Sequence, residues 1–307
     1  MTTLVFGHKS PDTDSTGSPL IWAWYLNQIK DQTAEAVLLG EPSTEARFVL
    51  DKWGLKPPRI IAGVKADQPV VIVDTNNPAE LPDAINEADI QAIIDHHRLV
   101  GGLKTRGPIT IRIEPLACTA TIMRAMIGDD LHQAPPAIKG VMLSCILSDT
   151  LEFRSPTTTR EDTAAAHALA RDLGIDIPGY AAEMFAAKSD VSTFSDAELL
   201  RMDSKEYEIG GKRFRVSVLE TTSPGTVLAR KDSLMQAMPI VATEDGVAHV
   251  LFFVVDILNG ESTMLVPDDL TRRVAEKSFS TLVGAADTVV LPGVVSRKKQ
   301  IIPNLAL

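Results

Sequence analysis

Ala92-Ile93-Ile94-Asp95-His96-His97 is a short apolar run that ends on one carboxylate and two imidazoles. Such a run reads as a buried strand, and polar groups at its end are costly to bury without a partner. The pattern repeats in both directions along the chain. Leu4-Val5-Phe6 leads into Gly7-His8-Lys9-Ser10-Pro11-Asp12-Thr13-Asp14-Ser15, Val70-Val71-Ile72-Val73 into Asp74, and Cys145-Ile146-Leu147-Ser148 into Asp149. In an open α/β sheet, ligands bind beyond the carboxyl ends of the strands. These acids and imidazoles are therefore expected to converge as the ligands of a metal centre.

Strand patterns at 4–6, 36–39, 59–62, 70–73, 92–94 and 109–113 alternate with helical patterns at 18–28, 44–53, 78–87, 119–126, 136–147 and 160–173. This alternation predicts an α/β fold, a largely parallel sheet with helices on both faces. The 145–148 run also reads as the end of a helix, because short apolar runs are ambiguous. Around 188–198 the sequence turns polar and loses its periodic apolar face. Beyond it, runs at 207–209 and 213–218 flank the turn signal Gly210-Gly211. A helix near 227–237, strands at 249–258 and 288–291 and a helix near 269–279 complete a smaller mixed α+β domain. The expected division is a metal-binding domain at 1–188, a linker at 189–195 and a substrate-binding domain at 196–307.

Each candidate ligand has a plainer reading beside it. Asp14 or Ser15 could N-cap the helix that follows, and Asp74 and Asp149 taken singly could be caps or solvent-facing acids. Asp95 could simply orient a histidine. Together, five aspartates and two or three histidines at strand ends exceed what capping explains. A carboxylate and imidazole set without thiolate suits Mn²⁺, Co²⁺, Zn²⁺ or Fe²⁺ and disfavours a structural zinc site. So many carboxylates imply two ions with a bridging aspartate. Two cations about 3.5–4 Å apart can hold a hydroxide between them at neutral pH, lowering the pKa of water from about 15.7 towards 7. Phosphoryl transfer then needs positive charge on the substrate oxygens. Ser296-Arg297-Lys298-Lys299-Gln300, Lys205 and Arg154 offer it, although the first also reads as a solvated tail and the second as a surface lysine. Metals in one domain and cations in the other imply a cleft that closes on an anion.

Composition narrows the function classes. The 307 residues are 45% hydrophobic and 23% charged, ordinary for a globular protein. Forty acidic side chains against 30 basic ones give a formal charge of -10, which argues against bulk binding of nucleic acid or anionic membrane. The longest apolar run, 250–255, is far too short to span a bilayer. Cys118 and Cys145 lie in apolar surroundings without metal-type spacing, which fits free thiols in a reducing cytoplasm. No basic and apolar leader precedes the first strand, so no signal peptide and a cytoplasmic location are expected.

Taken in order, Gly7-His8-Lys9-Ser10-Pro11-Asp12-Thr13-Asp14-Ser15, Val73-Asp74, Asp95-His96-His97, Ser148-Asp149-Thr150 and Ser296-Arg297-Lys298-Lys299-Gln300 resemble the manganese-dependent family II inorganic pyrophosphatases of the DHH phosphoesterase superfamily, with their associated C-terminal domain. The resemblance spans essentially the whole chain. It implies hydrolysis of pyrophosphate to two orthophosphates by in-line attack of a hydroxide bridging two Mn²⁺ ions, with Co²⁺ as a substitute and Mg²⁺ arriving with the substrate. By the same resemblance, His8, Asp12 and Asp74 hold one ion, and Asp14, Asp74, His96 and Asp149 the other. His97 touches substrate or the reacting oxygens, while Lys205, Arg297 and Lys298 bind pyrophosphate. A cytoplasmic homodimer paired through the N-terminal domain is also implied. Two departures stand out: Thr75-Asn76 follows Asp74 where the family has a His-Asn pair, and Arg154 stands where lysine is commoner. No insertion between 97 and 149 is long enough for a regulatory nucleotide-binding module. An exopolyphosphatase or another phosphoesterase of the superfamily is the alternative, although the Gly-Gly-Gly-His run of the phosphodiesterase branch is missing after residue 190.

Overall fold

A computed structural model describes residues 1–284 and 287–307, apart from the side chain of Lys298. The chain folds as two compact units, Met1–Ala187 and Lys188–Leu307. Among the described residues no helix is long and apolar enough to cross a membrane.

The first unit carries a five-stranded sheet ordered β2-β1-β3-β4-β5, in which every pairing is parallel. Its strands are β1 (Thr3–Phe6), β2 (Ala34–Ala36), β3 (Pro69–Val73), β4 (Asp89–Asp95) and β5 (Thr110–Ile113). Side chains alternate along each strand, so a parallel strand must bury both faces. Val5, Val71, Val73 and Ile94 join the core shared with α1 (Thr13–Gln28), α3 (Thr119–Ile127), α4 (Pro136–Thr150), α5 (Arg160–Leu173) and α6 (Ile177–Lys188). Leu4, Phe6, Val70, Ile72 and Ile93 face the opposite way and pack with Leu81, Ile85 and Ile61. The helical pattern expected across 78–87 resolves there into two short 3₁₀ turns, Pro78–Glu80 and Ile85–Glu87. The 59–62 run contributes only an isolated bridge from Leu38 to Ile60.

The 145–148 run lies in the last two turns of α4, and Asp149 therefore sits at a helix C-terminus rather than a strand end. The run is apolar all round because α4 is enclosed by α1, α3 and α5, with Cys145, Ile146 and Leu147 fully buried. Close contact between α1 and α4 depends on Gly17. A Cβ there would lie 2.4 Å from Cys145 Sγ and 2.6 Å from Val141 Cγ1. The helix α2 (Thr44–Lys52) is capped by Ser43, whose side chain accepts from the Ala46 N–H.

The second unit is a five-stranded mixed sheet ordered β10-β9-β8-β7-β6. Its strands are β6 (Ser204–Ile209), β7 (Lys212–Thr221), β8 (His249–Asp256), β9 (Glu261–Leu265) and β10 (Thr288–Pro292). The β6–β7 hairpin turns on Gly210 and Gly211, both at positive φ (57° and 75°), as a tight hairpin requires. One face packs on α7 (Asp196–Arg201), α8 (Pro224–Leu228) and α9 (Lys231–Glu244), the other on α10 (Asp269–Phe279) and the C-terminal segment. The single helix expected near 227–237 is thus two, α8 and α9. The stretch 189–195, expected as a linker, is seated on this unit: Val191 is in its core and Ser189 hydrogen-bonds Thr222.

Candidate metal centre

Strand order in the first sheet reverses between β1 and β3, and the crevice beyond their carboxyl ends is where α/β folds place ligands. His8 follows β1 and Asp74 follows β3. Asp74 donates its backbone N–H to Ile94 O on β4 and takes a left-handed φ of 57°, which aspartate tolerates better than most residues. Its carboxylate lies between two imidazoles. Oδ2 is 3.5 Å from His8 Nε2, and Oδ1 is 3.4 Å from His96 Nε2.

The loop from His8 to Asp14 is folded tightly on itself. The His8 N–H donates to Ser15 Oγ, and a Cβ at Gly7 would sit 2.0 Å from that oxygen, so only glycine fits. The N-cap of α1 falls on Asp12 rather than Asp14 or Ser15: Asp12 Oδ1 accepts from the Ser15 N–H, while Oδ2 lies 3.7 Å from His8 Nε2. Asp14 is thereby carried into the first turn and buried. It accepts from Ser18 Oγ (2.6 Å) and from the Thr119 N–H at the start of α3 (2.7 Å).

Seven side chains singled out in the sequence meet here in three overlapping groups: His8, Asp12 and Asp74; Asp74, His96 and His97; Asp14, His96 and Asp149. Within each, one ligand atom per residue lies within 4.8 Å of the others. His96 Nδ1 lies 3.2 Å from Leu116 O, which turns Nε2 towards Asp74. His97 Nδ1 is 2.9 Å from Asp95 Oδ1, so His97 is held beside the centre by Asp95. Asp95 also accepts from the His97 N–H and from Asn76 Nδ2.

The electrostatics call for cations. Burial, reinforced by the surrounding carboxylates, pushes Asp74 and Asp149 well above the usual carboxylate range. Both Oδ2 atoms are buried with no hydrogen-bond donor. Such atoms are unfavourable unless an ion completes them, and the oxygen and imidazole donors suit a manganese-like divalent cation. Asp95 behaves in the opposite way. Burial alone would raise its pKa, but the hydrogen bonds from His97 and Asn76 hold it low, and Asp95 in turn raises His97. Cys118 and Cys145 are driven far up by burial and stay thiols.

A cavity of about 460 Å³ lined by His8, Lys9, Ser10, Ala79, Glu80 and His97 opens beside these groups. In the second unit, Arg297 begins a single π-type turn (Arg297–Ile301) and pairs with Asp203 Oδ1 at 2.8 Å. That bond brings Arg297 to the start of β6, where Lys205 is exposed. The side chain of Lys298 lies outside the described residues. Arg154 pairs with Glu152 at 2.9 Å. Sequence reasoning passed over Thr119 and Ser18, which hydrogen-bond Asp14, and named Asn76 without giving it its role, a hydrogen bond to Asp95. Thr119 Oγ1 also reaches Asp74 Oδ1 at 3.2 Å. Hydroxyls and amides of this kind carry no periodic or charge signal that would single them out.

Comparison with known proteins agrees with this geometry. Residues 2–148 match the DHH family N-terminal domain, and residues 182–306 match the DHHA2 domain. A probable manganese-dependent inorganic pyrophosphatase of Deinococcus radiodurans is 39% identical, covering 98% of this chain and 96% of its relative. One of Lactobacillus acidophilus is 36% identical with the same coverage. This chain is a manganese-dependent inorganic pyrophosphatase family member. A crystal structure from Methanococcus jannaschii, assigned to the family II inorganic pyrophosphatases, superposes with a TM-score of 0.62 at 31% identity, covering 99% of this chain and 98% of that one. Thr75, where the resemblance implied a histidine, directly follows Asp74. It is buried and donates to Glu80 Oε2 (2.6 Å) on the cavity wall.

Proposed function

We propose that this pyrophosphatase-family chain hydrolyses inorganic pyrophosphate to two orthophosphates at the centre built on Asp74. The observation that carries the reading is the pair of buried, donorless oxygens, Asp74 Oδ2 and Asp149 Oδ2, among converging acids and imidazoles. His8, Asp12 and Asp74 would hold one Mn²⁺ ion, and Asp14, Asp74, His96 and Asp149 a second, with Asp74 shared; Co²⁺ suits the same donors. When bound, such an ion pair activates water and neutralises phosphate oxygens. The remaining work falls to the chain's own residues. Asp95 fixes the His97 ring, leaving Nε2 to face the reacting oxygens. Lys205, Arg297 and Lys298 of the second unit bind the phosphates and offset their charge, with Arg297 oriented by Asp203 and Mg²⁺ accompanying the substrate. In this reading the first unit is catalytic, the second binds substrate, and the enzyme works in the cytoplasm.

The test is phosphate release by chelator-treated protein. Mn²⁺ should restore hydrolysis of pyrophosphate well above that of tripolyphosphate or a dinucleotide. Preference for the longer polyphosphate would make it an exopolyphosphatase instead, and no release from any of the three would end the enzymatic reading.

We also propose a homodimer paired through the first unit. Strand β5 is the sheet's outer edge and exposes Ile111, and an open edge of this kind is a ready template for a second chain. Ile111→Asp should shift the protein to monomer in light scattering. A wild-type protein that is already monomeric would remove this proposal.

A further inference from the structure

We propose that Glu45, on α2, is a positioning residue for the metal centre, the buried clasp that holds the carriers of Asp14 and Asp149 together; this rests on the metal-centre reading above. Glu45 lies in the first turn of its helix, yet only 1% of it is exposed. Its Oε2 accepts from Thr13 Oγ1 at 2.7 Å and from Ser148 Oγ at 2.6 Å, residues 32 and 103 positions away in sequence. Thr13 immediately precedes Asp14, and Ser148 immediately precedes Asp149.

Two hydroxyls on one carboxylate oxygen fix the first turn of α1 against the last turn of α4. The same junction is drawn in from either side. Ser43 at the start of α2 donates its N–H to Pro11 O in the His8–Asp14 loop, and Cys145 Sγ on α4 donates to Thr13 O. A carboxylate buried among metal-bearing segments is costly unless its hydrogen bonds are retained, so it resists any rearrangement that separates Thr13 from Ser148. Among the described residues Glu45 is not one of the grouped ligands, and its hydrogen bonds to Thr13 and Ser148 reach the neighbours of two of them. Its effect is on the spacing of Asp14 and Asp149, on which capture of an ion by both depends. Groups hydrogen-bonded directly to metal ligands change affinity by about 10–100-fold, and Glu45, which holds the neighbours of two proposed ligands at once, is assigned an effect of that order.

The experiment measures Mn²⁺ binding to chelator-treated protein by the electron-spin signal of free Mn²⁺, together with thermal melting of the metal-free protein. Glu45→Leu should raise the Mn²⁺ Kd by about 10–100-fold. Glu45→Gln, which keeps shape and one acceptor oxygen, should recover part of that loss. If both variants bind Mn²⁺ within twofold of the wild type while only the metal-free melting temperature falls, Glu45 is a packing residue and the proposal fails. Should Glu45→Leu not fold, Thr13→Val and Ser148→Ala each remove one donor. Each should weaken Mn²⁺ binding, and combining them should cost less than the two separate effects together, as for groups sharing one acceptor. Unchanged affinity in both also overturns the proposal. A wild-type protein that binds no Mn²⁺ would instead overturn the metal-centre reading itself.

Discussion

Asp74 takes a backbone conformation that most residues avoid, and it gains from it a carboxylate whose two oxygens face different imidazoles. Asparagine tolerates the left-handed region as well as aspartate does. Asp74→Asn therefore removes charge and one oxygen donor while leaving the turn intact. Because even outer partners of a metal centre are worth about 10–100-fold, loss of the shared ligand should lower pyrophosphate hydrolysis by more than 100-fold. Metal content per chain, measured by elemental analysis, should fall with it. A fully folded Asp74→Asn protein that retains both ions and near-normal turnover would remove Asp74 from its proposed role. Asp95 looks similar in the sequence and differs in its surroundings. Its oxygens are occupied by Asn76 and His97, so it orients rather than ligates.

Between elements, the packing of α1 on α4 sets the distance from Asp14 to Asp149, and Gly17 sets the packing. Gly17→Val must push Cys145 and Val141 aside. Overpacking of this kind costs about 1–3 kcal/mol, and denaturant midpoints should fall accordingly, with weaker Mn²⁺ binding. The same helix layer contains Tyr180, whose hydroxyl is bonded to Trp53 Nε1 and Ser144 Oγ. Burial outweighs those bonds and raises its pKa to about 12. A raised folded-state pKa gives stability that is complete below the ordinary value of 10.0 and is lost as pH climbs through 12. Tyr180→Phe should thus remove a late phenolate component from the ultraviolet titration; an unchanged titration would show that Tyr180 is not protected. The α/β alternation was legible because strand runs such as Val70–Val73 are apolar on both faces. Asp74 and Asp149 were legible because they end apolar runs, and Asp12 and Asp14 because they crowd with His8 into one short loop. The helical pattern across 78–87 misled because Leu81 and Ile85 face the sheet from short turns, and apolar spacing alone does not distinguish a helix from two such turns. The 145–148 run stays ambiguous between a strand and the end of a helix because a fully enclosed helix carries no polar face to reveal its period, and the helical alternative is the one found. Glu45 and Thr119 give no local sign, since their partners lie far along the chain.

For the whole molecule, each unit has its own core, and among the described residues the clustered acids and imidazoles lie in the first. Metal should therefore stabilise one unit selectively. Free Mn²⁺ at about 100 times its Kd should raise the stability of the first unit by about 2.7 kcal/mol. In calorimetry, chelator should lower one transition and leave the other in place; equal shifts in both, or none, would contradict this. One consequence concerns synthesis. The proposed metal ligands begin at His8 and end only at Asp149, the penultimate residue of α4. A chain still emerging from the ribosome therefore exposes a half-built, repelling nest of carboxylates until α4 has cleared the exit. Capture of the second proposed manganese ion must wait for that moment, and a message truncated before codon 149 would yield a product lacking one of that ion's four proposed ligands.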